Sequence, residues 1–184
     1  MPLQNEEKRY TYADYCTWDD SERWELIDGA PYAMSSPSQR HQSILGELFG
    51  QLWSYLKGKP CVPFMAPFDV RLNAAENDDT VVQPDILVVC DNSKLDGKCC
   101  KGAPDLVIEI LSASTAMFDR FIKFQKYREA GVREYWIVDP DTKTLQVYTL
   151  KQGEYVVTAY FETPIAPVSI LPGCEINLDD VFAE

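Results

Sequence analysis

The 184 residues contain one histidine, His41, and none of the six cysteines (Cys16, Cys61, Cys90, Cys99, Cys100, Cys174) forms a Cys-x-x-Cys pair. A zinc centre therefore lacks ligands at workable spacing. Reduced thiols in a cytoplasmic protein are the expected state. No apolar run is long enough to cross a bilayer, so no membrane partner is expected. The first thirty residues carry Glu6, Glu7, Asp14, Asp19, Asp20, Glu22, Glu25 and Asp28 where a secretory signal would have an apolar stretch. Positive charge is scarce too: 17 Lys and Arg against 29 Asp and Glu give a net charge of -12. That balance disfavours generic nucleic-acid binding, since backbone affinity comes mainly from cations that neutralise phosphates. The deficit is uneven. Residues 152–184 contain no Lys or Arg, whereas Arg120, Lys123, Lys126, Arg128 and Arg133 crowd one short segment.

What the chain does have is apolar material, 46% hydrophobic and 12% aromatic, enough for one domain with a sizeable core. Trp24–Ile27 and Pro31–Met34 flank Asp28-Gly29, a dipeptide suited to the φ > 0 turn of a hairpin. Ser36-Pro37-Ser38-Gln39 reads as a helix start. Ile44, Leu45, Leu48, Phe49, Leu52, Trp53 and Leu56 then recur at three and four residues until Gly58, which predicts a helix over 37–57. Strands are expected at 64–72, 81–90 and 105–111, the last apolar on both faces and therefore central. A second helix over 115–130 and strands near 134–138, 144–150 and 155–160 complete an α/β fold with a mixed sheet flanked by helices.

Two acids lie within apolar strands. Glu109 in Leu-Val-Ile-Glu-Ile-Leu and Asp85 in Gln-Pro-Asp-Ile-Leu-Val-Val are costly to bury without a cation or strong donors. Adjacent strands bring two such carboxylates together, and a divalent ion with oxygen ligands, Mg²⁺ or Mn²⁺, relieves their repulsion. The alternative is an arginine partner or a backbone donor for each acid. Lys123 shares a helix face with Asp119 and Tyr127 at four-residue spacing. It is placed either to orient a water beside the metal or to form a solvated surface pair with Asp119; Lys126 competes for the first role. His41 falls on or beside the buried stripe near the helix start, as a phosphate or water contact or a packed histidine.

Pro84-Asp85, Glu109, the run Asp119-xxx-Lys123-xxx-Tyr127-xxx-Gly131-Val132-Arg133-Glu134-Tyr135-Trp136-Ile137-Val138-Asp139-Pro140 and Trp24-Glu25-Leu26-Ile27-Asp28-Gly29 resemble the Uma-type family of restriction-endonuclease-like proteins over roughly residues 10–180. The resemblance implies a PD-(D/E)xK nuclease core with Asp85, Glu109 and the main-chain carbonyl of Ile110 as ligands of Mg²⁺ or Mn²⁺. The motif lysine two residues after the glutamate is replaced by Leu111, and Lys123 on the following helix matches its displaced counterpart. Glu25 matches the family's hairpin glutamate and is a further metal or water ligand or an exposed hairpin acid. The expected activity is hydrolysis of DNA phosphodiesters by a homodimer, with Arg120, Lys126 and Arg128 on the DNA backbone. The alternative is a nuclease fold without activity that serves as a binding module.

Overall fold

The computed structural model describes residues 8–19 and 21–183; Glu6, Glu7, Asp20 and Glu184 of the acidic ends lie outside them. A short helix α1 (Tyr12–Tyr15) precedes the expected hairpin, in which β1 (Trp24–Ile27) pairs with β2 (Ala30–Ala33). Asp28 and Gly29 turn the chain at φ 49° and 78°. Helix α2 (Gln39–Leu56) is capped by Ser38, whose side chain accepts the His41 N–H at 3.2 Å. It starts two residues later than Ser36-Pro37 suggests. His41, Ile44, Leu45, Leu48, Leu52 and Leu56 form its buried stripe. Trp53, expected within it, is 52% exposed.

The stretches expected as single strands at 64–72 and 81–90 each break in the middle. The first gives β3 (Val62–Met65) and β4 (Asp69–Arg71), the second β5 (Val81–Val82) and β6 (Ile86–Val89). β3 pairs with β6 and β4 with β5, so one bent hairpin passes between two sheets. Pro67 and Pro84 stand at the two bends, where a residue without an N–H costs no ladder bond. Strands that switch sheets at such corners are how two packed sheets are joined. The Ala66 N–H donates to the Asp85 carbonyl at 3.0 Å across the corner. Asp85 therefore lies at a bend and not inside a strand.

Strand β7 (Cys99–Lys101) runs parallel to β4 at the edge of the smaller sheet, whose order is β2-β1-β5-β4-β7. The strand expected at 105–111 is β8 (Leu106–Ile110), buried at all five positions. The second helix begins with a widened π-helical turn over Phe118–Lys123 and continues as α3 (Phe124–Ala130), ending at Gly131 with φ 87°. Then come β9 (Glu134–Asp139), β10 (Thr144–Lys151) and β11 (Glu154–Tyr160). They join the larger sheet in the order β11-β10-β9-β8-β6-β3, parallel only between β8 and β9. The C-terminal β12 (Ile165–Pro167), β13 (Glu175–Asn177) and α4 (Leu178–Val181) were not anticipated by any sequence periodicity.

Strand alternation sends Leu106, Ile108 and Ile110 to one face of the large sheet, where α2 and the C-terminal elements cover them. Val107 and Leu111 go to the other face, against Tyr127 of α3 and the smaller sheet. Glu109 shares the parity of Val107 and Leu111 and faces that second layer. Cys61 and Cys90 flank the β3–β6 pairing and form a disulfide, which corrects the expectation of reduced thiols for these two residues. Cys16, Cys99, Cys100 and Cys174 are free.

Glu134 fastens the C-terminal segment to the sheet: Oε1 accepts Trp136 Nε1–H at 2.6 Å and Oε2 the Ile170 N–H at 2.9 Å. Burial pushes its carboxyl above the usual range. A carboxyl raised by folding contributes stability below its unfolded pKa, and the contribution is lost as pH rises through the folded value. Glu134→Gln cannot ionise. Its stability relative to wild type is expected to increase with pH above the ordinary glutamate range, measured as the difference in urea midpoints; a pH-independent difference would show that Glu134 titrates normally.

Candidate active site

The β1 carboxylate of Glu25, the β8 carboxylate of Glu109 and Asp119 in the widened turn converge on one ammonium, that of Lys123. The Nζ distances are 2.8 Å to Glu25, 2.9 Å to Glu109 and 3.5 Å to Asp119. All four residues are 3% exposed. The exposed-acid alternative for Glu25 and the solvated-pair alternative for Lys123 are thereby overturned. Glu25 Oε1 also accepts the Gln83 N–H at 2.8 Å, next to the Pro84 corner. Tyr127 donates its hydroxyl to Glu109 Oε1 at 2.6 Å, so that oxygen is held from two sides.

Asp85 stands beside this cluster with its own partners. Its Oδ2 accepts the Ile110 N–H at 2.8 Å and lies 3.1 Å from His41 Nε2, which brings in the N-terminus of α2. Its main-chain N–H points to Glu109 Oε2 at 3.4 Å. Each of the two acids thus has one oxygen anchored, Asp85 Oδ2 and Glu109 Oε1. The other oxygens, Oδ1 and Oε2, accept one long contact at most among the described residues. His41 is nearly buried, and its Nδ1 has no hydrogen-bond partner among the described residues.

These groups line a cavity of about 390 Å³ that holds Glu25, Asp85, Glu109, Asp119, Lys123 and His41 in its wall. Four carboxylates face one lysine, and the balance is electronegative. Burial holds the Glu109 carboxyl well above the usual carboxylate range despite Lys123, with Asp119, Asp85 and Glu25 adding to the rise. Burial alone would lower Lys123, but Glu109, Glu25 and Asp119 override it and keep the ammonium charged. Burial also disfavours the His41 cation, and the Asp85 carboxylate reverses that, raising the imidazole above its ordinary value.

The other candidate cations are engaged elsewhere. Lys126 pairs with Asp28 at 2.8 Å, Arg120 with Asp139 at 3.1 Å, Arg128 with Glu154 at 2.7 Å and Arg133 with Asp105 at 3.2 Å. Charge counting along the sequence could not show this, because most of these acids are distant in the chain. Asp119 was not among the expected site residues; its spacing to Lys123 and Tyr127 on one helix face was the available signal. Gln83, Tyr32 and Phe118, which also line the cavity, carried none.

Residues 11–179 match the model of the Uma2 family, described as "Putative restriction endonuclease". The chain belongs to this family. An uncharacterized protein of Synechocystis sp. is 27% identical over 151 residues, spanning 80% of this chain and 78% of that protein. A second uncharacterized Synechocystis protein is 28% identical over 137 residues, 72% of this chain and 76% of that one. A crystal structure from Anabaena variabilis, described as a putative nuclease belonging to DUF820, shares the fold with a TM-score of 0.77 at 21% identity, covering 95% of this chain and 98% of that one.

The donor set of this Uma2 chain suits a hard divalent cation. Asp85 and Glu109 supply carboxylate oxygens, and the Ile110 N–H directed at Asp85 implies, by strand alternation, a carbonyl on the same side. Among the described residues no three His, Cys, Asp or Glu side chains are grouped as a ready metal site. The fit rests on surplus negative charge and oxygen chemistry.

Among the described residues Lys123 is the only cation paired with these three buried carboxylates, so Lys123→Met is expected to destabilise the fold by about 3–5 kcal/mol. Lys126→Met, which breaks a partly exposed pair, is expected to cost about 1 kcal/mol or less. Urea unfolding of the two variants distinguishes them; equal effects would contradict the burial assigned to Lys123.

Proposed function

We propose that the protein is a metal-dependent endonuclease that hydrolyses DNA phosphodiesters, with Mg²⁺ or Mn²⁺ held by Asp85, Glu109 and the Ile110 carbonyl. The observation that carries this reading is the convergence of four carboxylates on one cavity with a single buried lysine. Family membership and the nuclease-like fold support it. An ion bound there supplies Lewis-acid polarisation of the phosphate and lowers the pKa of water.

The chain's own groups divide the remaining work. His41 and the Ile110 N–H fix one oxygen of Asp85 and leave the other toward the cavity. Tyr127 and Lys123 do the same for Glu109. Lys123 adds a fixed positive charge at the cavity wall, where negative charge grows on the phosphate oxygens in the transition state. Glu25 and Asp119 hold that ammonium in place, and Glu25 is also an acceptor for water entering the cavity.

Asp85→Asn and Glu109→Gln are each expected to abolish Mg²⁺ binding in calorimetry and cleavage of plasmid DNA. His41→Ala removes an orienting partner of a ligand and is expected to weaken metal affinity about 10–100-fold. Lys123→Arg, which keeps charge and moves it, is expected to slow cleavage on the order of a hundredfold while metal binding persists. Unchanged metal binding in both carboxylate variants would remove the metal from this site. Cutting both strands of a duplex takes two sites, so the reading carries a two-fold homodimer. Sedimentation is expected to give twice the chain mass, and a monomer at all concentrations would restrict the enzyme to one strand at a time.

A further inference from the structure

We infer that Tyr32 and Phe118 form a stacking platform for one unstacked nucleobase next to the phosphate in the carboxylate cavity. The inference rests on the hydrolase reading above and adds what part of the substrate is recognised.

The hairpin register builds half of the platform. Tyr32 lies directly opposite Glu25 in the β1–β2 pairing, and cross-strand partners project from the same face. Its ring therefore leaves the hairpin on the side of the acid cluster. The widened turn builds the other half, since Phe118 immediately precedes Asp119. The two ring centroids are 4.7 Å apart at an interplanar angle of 44°, and both side chains line the cavity that holds Asp85 and Glu109. Tyr32 is nevertheless 37% exposed. Part of the Tyr32 ring is thus open to a ligand beside the reactive groups, backed by the half-buried Phe118, whose ring centroid lies 5.8 Å from the Lys123 ammonium.

Charge explains why a base must add to the affinity that the phosphate chain can supply. Four acids face the cavity. Arg23, at its rim, donates to Gln83 at 2.8 and 3.0 Å, and Lys123 is committed to Glu25 and Glu109. The helix cations Arg120, Lys126 and Arg128 are paired with acids. A nucleic-acid backbone gains little from helix cations that are already neutralised; Arg23, whose partner is a neutral amide, keeps its charge for a phosphate at the rim. Stacking needs no charge, and loss of one stacked base weakens binding on the order of ten- to a hundredfold. A cavity of about 390 Å³ is also at the small end of ligand sites, of a size for one nucleotide. The base that enters must leave its stack, which costs least in single-stranded DNA.

The test is fluorescence anisotropy with a labelled single strand of about 12 nucleotides, within the site size of stacking-type grooves, in the presence of Ca²⁺. Wild type, Tyr32→Phe and Tyr32→Ala are titrated with the intact strand and with strands carrying one abasic position at successive places. Tyr32→Ala is expected to bind the intact strand on the order of ten- to a hundredfold more weakly, with the fold retained by circular dichroism at the assay temperature, while Tyr32→Phe keeps wild-type affinity. One abasic position should weaken wild type by a similar factor and Tyr32→Ala no further. Wild-type affinity in Tyr32→Ala, or equal losses for Tyr32→Ala on intact and matching abasic strands, overturns the platform. If Mg²⁺-dependent cleavage that requires Asp85 persists alongside that result, the hydrolase reading stands and only the platform falls. Absence of both cleavage and binding for every strand overturns the two together.

Discussion

One ammonium among three buried carboxylates organises this molecule. Lys123 connects the N-terminal hairpin through Glu25, the central strand through Glu109 and its own helix through Asp119. Taking such ions out of water costs several kcal/mol each, and apolar residues of the same volume often serve stability as well or better. A cluster of this kind in a cavity wall is therefore poorly explained by stability. It is well explained by a need for fixed charge at a reactive centre, the setting in which strongly perturbed groups concentrate. The widened turn at Phe118–Lys123 fits the same reading, since π-helical turns are frequent at functional sites.

The architecture serves that arrangement. A hairpin that stayed in one sheet would carry Asp85 along a continuous ladder. By changing sheets at Pro67 and Pro84 it presents Asp85 at a corner, next to the end of β8. The same corner brings Gln83, and with it Glu25, from the smaller sheet. The helix α2 closes the opposite side with His41. Four segments distant in sequence thus meet at one end of the large sheet, and each is positioned by an ordinary device: a turn, a strand break, a helix start and a widened helical turn.

Legibility in the sequence followed the strength of local pattern. The α2 stripe, the Asp28-Gly29 turn and the doubly apolar β8 were readable because each repeats or punctuates over a short window. The bends at Pro67 and Pro84 were not, since strand-forming residues lie on both sides of each proline and nothing in a local window says that the two halves join different sheets. β7, β12, β13 and α4 are too short for a period to show. The Cys61–Cys90 bond joins neighbours across two strands, a relation that their separation of 29 residues does not encode. In the site, Asp85 and Glu109 stood out as charges in apolar surroundings. Lys123 and Glu25 drew their significance from resemblance, because burial of a helix lysine or a hairpin glutamate depends on what packs over them. The basic cluster around the second helix was visible as composition, yet its ion pairs depend on tertiary partners such as Asp28 and Glu154.

The central claim is that Asp85 and Glu109, with the Ile110 carbonyl, form a cation site that Lys123 borders and does not fill. A crystal structure with Mn²⁺ measured at the manganese absorption edge tests it most directly. The account predicts an anomalous peak between one oxygen of Asp85, one of Glu109 and the Ile110 carbonyl, with the Lys123 pairs to Glu25 and Glu109 intact. An anomalous map with no peak there at saturating Mn²⁺, or a peak only elsewhere on the acidic surface, would contradict it.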